Sequence, residues 1–282
     1  MTTKHIVFIG GGNMTRAILG GLTATNANAK AGVGTTPYRL SVVQPSNPKR
    51  DQLAADFSAA GVQVASNVTD LGAEIDVVVW AVKPQVLQRV IADNQGRFGA
   101  DTLHVSIAAG VGTAALSDWL GNDRVVRTMP NTPAMVGCGA TGMFAKEAVS
   151  ADDKTLVQAL FSATGLCLWV AEEGLLEAVT AVSGSGPAYV FYILNAMTAG
   201  GRALGLTEST AKQLAIATFA GAAELARQST DTPAQLQQNV TSKGGATAEA
   251  IAVFESAKLA ETIQTGMRAC AARATEMGAQ FK

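Results

Sequence analysis

The sequence predicts an α/β doubly wound domain followed by an all-α domain. Short β-branched runs alternate with helical segments through about residue 170, a glycine-rich turn follows the first run, and strand-like runs disappear after about Ala171. Ile6 to Ile9 reads as the first buried strand. Gly10-Gly-Gly-Asn-Met-Thr15 then turns the chain into a helix over Ala17 to Leu22, and Thr23 to Tyr38, rich in Ala, Thr, Asn and Gly, reads as a long connection. Leu40 to Val43, Val62 to Ala65, Val77 to Ala81, Leu103 to Ile107 and Val125 to Met129 are uncharged or nearly so, as strands covered on both faces of a parallel sheet should be. Helical patterns at Arg50 to Ala60 and Pro84 to Ile91 lie between them. A late pair of strands, Ala140 to Phe144 and Leu166 to Val170, brackets a helix over Asp152 to Ala163, with Ser150 and Asp153 as a capping box and Gly165 as its stop.

The second half is expected to be helical throughout, over Glu173 to Val182, Ala188 to Leu204, Glu208 to Gln228, Pro233 to Asn239 and Ala248 to Glu276. Thr232-Pro233 with Gln235 reads as a cap, an N1 proline and a capping box. Ile251, Phe254, Leu259, Ile263 and Met267 mark one apolar face of the last helix. The expected division is a dinucleotide-binding domain over 1–171 and a helical domain over 172–282.

Composition narrows the function classes. A net charge of −1 with no block of like charge gives no electrostatic footprint for nucleic acid or anionic lipid. Three dispersed cysteines, Cys138, Cys167 and Cys270, argue against a disulfide framework or a metal site. Ala178 to Gly201 carries no charge, but Ser183-Gly-Ser-Gly-Pro187 interrupts it and no basic flank follows, so a buried helix is expected rather than a membrane span. The opening segment lacks the apolar length of a signal peptide, and the expected location is cytoplasmic. With 48% hydrophobic and 15% charged residues, the chain has more apolar surface than one protomer's core needs, which points to a homo-oligomer.

Two loops carry chemistry. In the first, Gly10 can make the tight turn and Gly12 can let a pyrophosphate approach the backbone at a helix start. Thr15 stands where the usual third glycine would be. The segment after the second strand, Gln44-Pro-Ser-Asn-Pro-Lys-Arg50, has no carboxylate for a ribose 2′-hydroxyl and offers Lys49 and Arg50 instead, so NADPH is favoured, with NADH possible. In the second loop, Thr241-Ser-Lys-Gly-Gly-Ala-Thr247, glycines lead directly into a helix; the loop reads as an anion nest, or alternatively as a plain turn. His5 and His104, beside or within strands, read as structural.

Six segments taken in order resemble the pyrroline-5-carboxylate reductase family. They are Ile9-Gly-Gly-Gly-Asn-Met14, Ala81-Val-Lys-Pro-Gln85, Ser106-Ile-Ala-Ala-Gly110, Arg127-Thr-Met-Pro-Asn-Thr-Pro133, Ala178 to Tyr189 and Asn239 to Thr247. The resemblance implies a Rossmann-type first domain, an all-α dimerisation domain, and NAD(P)H-dependent reduction of 1-pyrroline-5-carboxylate to L-proline, the last step of proline biosynthesis. It implies that Gly10, Gly12, Asn13 and Met14 touch the pyrophosphate, that Ile9 and Gly11 also bind the cofactor, and that Ser46 and Asn47 lie on the adenosine side. Asn67, Ala81, Val82, Lys83 and Pro84 would complete the cofactor site. Glu173, Asn239, Gly245, Ala246 and Thr247 would bind substrate, with Val125 to Thr132 and Ser183 to Pro187 as pocket walls. Thr247 is the candidate proton donor, and no metal is needed because an iminium is already electrophilic. Lys243 departs from the proline of many relatives. The resemblance also implies a homodimer, or a larger assembly of dimers.

Two other functions fit a similar build. A hydroxyacid or sugar-acid dehydrogenase needs a lysine or histidine base on the first helix of the second domain, whereas Val190, Phe191, Tyr192 and Asn195 occupy that helix and Arg202 is its first cation. A non-catalytic dinucleotide sensor would bind the cofactor without turnover.

Overall fold

The computed structural model describes residues 3–30, 38–72 and 74–281, with the side chains of residues 29 and 30 left aside. Its chain forms two compact units, residues 1–185 with 270–282, and residues 186–269.

The first unit is built on an eight-stranded sheet in the order β3-β2-β1-β4-β5-β6-β7-β8. Its strands are β1 (His5–Ile9), β2 (Arg39–Val43), β3 (Gln63–Ala65), β4 (Val77–Trp80), β5 (Leu103–Ser106), β6 (Val125–Met129), β7 (Gly139–Ala145) and β8 (Gly165–Trp169). β1 to β6 pair in parallel, β7 runs antiparallel to β6, and β8 is parallel to β7. Alternation along each strand divides the core. Ile6 and Phe8 face α1 (Asn13–Lys30), α2 (Asn47–Phe57) and α5 (Ala151–Ser162), burying Ile18, Leu53 and Leu160. Val7 and Ile9 face the opposite side with α3 (Pro84–Ala92), α4 (Thr113–Leu120) and the 3-10 turn Val68–Leu71. The helix reached from β1 therefore covers one face and the helix reached from β4 covers the other. Neighbouring strands whose connections leave in opposite directions open a crevice at their carboxyl ends.

Several helices differ from expectation. α1 runs to Lys30, so residues 23–30 are helical rather than a connection: Thr23 and Thr25 donate to the carbonyls of Gly20 and Gly21, and Asn26 exchanges two hydrogen bonds with the Tyr38 backbone, each 2.7 Å. The rest of that stretch, 31–37, lies outside the described residues. α4 was not expected from the pattern. α5 has its Ser150–Asp153 capping box. After β8 come α6 (Leu175–Val179) and a wider π turn over Thr180–Gly184. The turn packs close to the sheet, since a Cβ on Gly184 would lie 2.7 Å from Met129 Cε.

The second unit contains α7 (Gly186–Ala203), α8 (Glu208–Gln228), α9 (Pro233–Asn239), α10 (Ala246–Ser256) and the start of α11 (Leu259–Ala279), which continues into the first unit. Thr207 and Thr232 cap α8 and α9 by accepting the N–H groups of Thr210 and Gln235. The Gln235 side chain does not close the expected box; its amide donates to Asn239 Oδ1 at 2.9 Å. The single helix expected over Ala248 to Glu276 is two, broken where Lys258 adopts a left-handed φ of 53°. Among the described residues of this unit only Ala211 and Ala215 are buried.

Candidate active site

The crevice between β1 and β4 is shaped by backbone contact. Gly10 has φ 108°, and a Cβ there would lie 2.6 Å from the Ala81 carbonyl oxygen, so only glycine lets the two loops meet. Its N–H donates to the Val43 carbonyl at 3.0 Å, tying the turn to the end of β2 as well. Thr15, fully buried, donates its hydroxyl to the Gly10 carbonyl at 2.7 Å. The missing third glycine is thus replaced by a side chain that braces the turn. Gly12 is different: a Cβ there would meet nothing within 4 Å, so its backbone faces open space at the start of α1.

That space is a cavity of about 620 Å³ lying within the first unit. Ile9, Gly10, Gly11, Gly12, Asn67, Ala81, Val82 and Lys83 line it, whereas Asn13, Met14, Ser46, Asn47 and Pro84 do not. Met14 packs on the core instead, and Asn47 accepts from Arg50 Nη2 at 2.5 Å. Asn67 is held by a reciprocal cap: its N–H donates to Asp70 Oδ2 at 3.0 Å. The Ser66 hydroxyl and this N–H hold the Asp70 carboxyl below its ordinary range. The wall also includes Lys49, which the sequence offers to a 2′-phosphate, with Gln44 and Pro45 of the same segment, and Thr69 and Arg97, which sequence reasoning did not single out. Arg97, following α3, had no signal in the sequence. An open glycine backbone at a helix start, above a cavity of this size, fits a dinucleotide pyrophosphate.

Glu173 stands elsewhere in the first unit. Its Oε1 accepts from Thr113 N–H at 2.7 Å and from Arg127 Nη1 at 3.3 Å, and its Oε2 accepts from the Thr113 hydroxyl at 2.7 Å. Arg127, only 7% exposed, also reaches Glu177 at 3.0 Å. Of the expected pocket walls, Asn131 joins two: its amide donates to the Ser183 carbonyl at 3.0 Å and its oxygen accepts from Ala140 N–H at 2.8 Å.

The second loop belongs to the other unit. Gly244 has φ 68°, and Gly245 N–H donates to the Ser242 carbonyl at 3.0 Å, which turns the chain into α10. Ala248 N–H returns to the Gly245 carbonyl at 3.0 Å. The preceding N–H groups, of Ala246 and Thr247, belong to the first turn, where a helix has no internal acceptors for them. Thr247 is exposed, and its hydroxyl makes no hydrogen bond among the described residues. Asn239, at the end of α9, is engaged by Gln235 and lies 3.4 Å from Asp231 Oδ2.

The histidines are structural. His5 Nε2 and Nδ1 meet Ser41 Oγ at 2.8 Å and the Glu74 carbonyl at 3.0 Å, and burial lowers its pKa. Trp80 Nε1 donates to His104 Nδ1 at 3.3 Å. No group of His, Cys, Asp and Glu that could hold a metal occurs among the described residues.

Residues 173–277 match the family model for pyrroline-5-carboxylate reductase dimerisation. The pyrroline-5-carboxylate reductase of Pseudomonas aeruginosa is 40% identical over 282 residues, covering 100% of this chain and 99% of that one. The chain belongs to the pyrroline-5-carboxylate reductase family. The Pisum sativum reductase is 36% identical over 96% of this chain and 94% of its own. Residues 5–110 match a model described as NADP oxidoreductase, coenzyme F420-dependent. Among solved structures, the Coxiella burnetii reductase superposes with a TM-score of 0.88 at 40% identity, covering 98% of this chain and 99% of that one. A Plasmodium falciparum pyrroline carboxylate reductase, solved with NADP bound, gives 0.80 at 26% identity over 99% of both chains. The fold of this reductase family is therefore the one described above, with residues 173–277 matching its dimerisation domain.

Proposed function

We infer that the protein reduces 1-pyrroline-5-carboxylate to L-proline with a nicotinamide dinucleotide, NADPH in preference to NADH. The observation that carries the substrate side is the open first turn of α10, where two backbone N–H groups and an unpaired threonine hydroxyl stand together. The N–H groups of Ala246 and Thr247, above the glycine turn closed by Gly245, hold the substrate carboxylate; the positive end of the helix favours that charge. Thr247 Oγ1 hydrogen-bonds the ring nitrogen and passes it a proton as C5 accepts hydride, which converts the C=N bond to CH–NH. When bound, the nicotinamide dinucleotide would supply that hydride. Asn239 and Glu173 complete the substrate side, and Ile9, Gly10, Gly11, Gly12, Asn67, Ala81, Val82 and Lys83, which line the cavity, hold the cofactor. The working unit is a homodimer or an assembly of dimers, residues 172–282 form its substrate-binding and dimerisation domain, and the protein is cytoplasmic. Among the described residues no helix is long and apolar enough to cross a membrane.

NADPH is favoured because the end of β2 presents Gln44 and Lys49 to the cavity and no carboxylate. Initial rates with both cofactors on racemic imine test both parts. Turnover is expected, faster at low cofactor concentration with NADPH, and Thr247→Ala lowers kcat by about 100-fold. No oxidation of either cofactor by that imine sinks the assignment.

A further inference from the structure

The dinucleotide cavity has a cation on its wall that the fold leaves uncommitted. Arg97 lines the cavity, and its guanidinium makes no hydrogen bond or ion pair among the described residues. The polar groups before it are engaged elsewhere. Asp93 faces Arg89 at 3.8 Å, and the Asn94 amide donates to the Val90 carbonyl at 2.8 Å. Arg97 N–H donates to the Asn94 carbonyl at 3.3 Å, and Gly96, with φ 71°, turns the chain between them. This turn sets Arg97 beside Val68 and Thr69, with which it also lines an adjoining hollow of about 270 Å³.

The two core faces show what lies at each end of the cavity. α3 and the Val68–Leu71 turn pack on one face of the sheet through Leu87, Ile91, Val68 and Leu71. α2, which begins beside Lys49, packs on the other through Leu53. The cavity therefore crosses the sheet edge at the end of β2, with Lys49 on one side and Val68, Val86, Val90 and Arg97 on the other. The nucleotide half of a dinucleotide must place a polar ribose and a flat purine. The end of β2 takes the ribose in doubly wound folds. What remains for the purine is a slot with valine walls and a guanidinium at its rim. A guanidinium is planar and weakly hydrated, and it stacks on aromatic faces where an ammonium cannot.

We propose that Arg97 stacks on the adenine ring of the bound dinucleotide, a contact common to NADPH and NADH. The proposal rests on the reading of this cavity as the dinucleotide site. It is separate from 2′-phosphate recognition, which falls to the β2 side. Calorimetric binding of ADP-ribose and of 2′-phospho-ADP-ribose to the full chain tests it without any imine. Arg97→Ala is expected to weaken both ligands by the same factor, about 10-fold, as loss of one base stack does. Arg97→Lys keeps the charge without the plane and leaves the loss unrepaired. Lys49→Ala, by contrast, weakens the 2′-phosphorylated ligand alone. Loss confined to that ligand in Arg97→Ala, full rescue by Arg97→Lys, or unchanged affinities would each overturn the stacking role. A wild-type chain that binds neither ligand overturns the cavity reading, and this proposal with it.

Discussion

Burial fixes the protonation of His104. It is 2% exposed, accepts from Trp80 Nε1 and sits beside the Phe98 ring, and desolvation holds its pKa down to about 4 from an ordinary 6.5. The unfolded chain takes up a proton near pH 6.5 and the folded chain does so only near pH 4. Between those values the unfolded state binds more protons, so stability falls as pH drops through that window and levels off below it. The full loss from this residue is about 3 kcal/mol. Urea unfolding at pH 7.5 and pH 4.5 should show a smaller pH-dependent loss in His104→Gln than in the wild type; equal losses would mean the imidazole is not held neutral. The structural role of His104 was legible in its place on a strand among apolar neighbours, and so was Gly10, because a turn between strand and helix restricts what can stand there. Arg97 was not legible. It reaches the cavity through a packed path of α3, Gly96 and the Val68–Leu71 turn, and no local pattern records such a path.

At the scale of elements, α4 depends on a residue far along the chain. Gly112 precedes its first turn and offers no side chain to cap it, and Glu173 supplies the acceptor from across the fold, taking both the N–H and hydroxyl of Thr113. The same carboxylate shares the buried Arg127 with Glu177, so the guanidinium is matched from two sides. Three donors already occupy a group with about four acceptor positions, so the proposed substrate contact of Glu173 has about one left to use. Glu173→Ala should therefore destabilise the protein by roughly 3 kcal/mol, and Glu173→Gln by less because an amide oxygen still accepts from Thr113. Thermal unfolding of both variants checks this; a loss below about 1 kcal/mol in the alanine variant would show that the network is slack. Periodicity and Gly/Pro punctuation made the eight strands and most helices legible. They missed α4, whose cap lies outside its own sequence, and the break at Lys258, where no glycine or proline marks the left-handed turn.

For the whole molecule, the two units handle apolar surface differently. The sheet of the first unit buries Trp80, Phe8, Phe161 and most of the aliphatic residues on both its faces. The second unit leaves Phe191 61%, Tyr192 78% and Leu204 88% exposed, with α7 carrying no charged residue before Arg202. Apolar area of that kind, on helices without a core of their own, is surface meant for another subunit. This is why the uncharged stretch from Ala178 to Gly201 imitates a membrane span in the sequence while belonging to an oligomer. The distinction is legible only through its interruption at Ser183 to Pro187. Phe191→Lys places an ammonium on the middle of that surface, where burial without a partner is strongly opposed. The expected result is a dimer dissociation constant raised at least about 30-fold, equivalent to roughly 2 kcal/mol at an aromatic anchor. Sedimentation equilibrium reads the constant directly, and turnover should fall with the dimer fraction if the monomer lacks a complete site. A variant that stays dimeric at the same concentrations would move the interface away from α7.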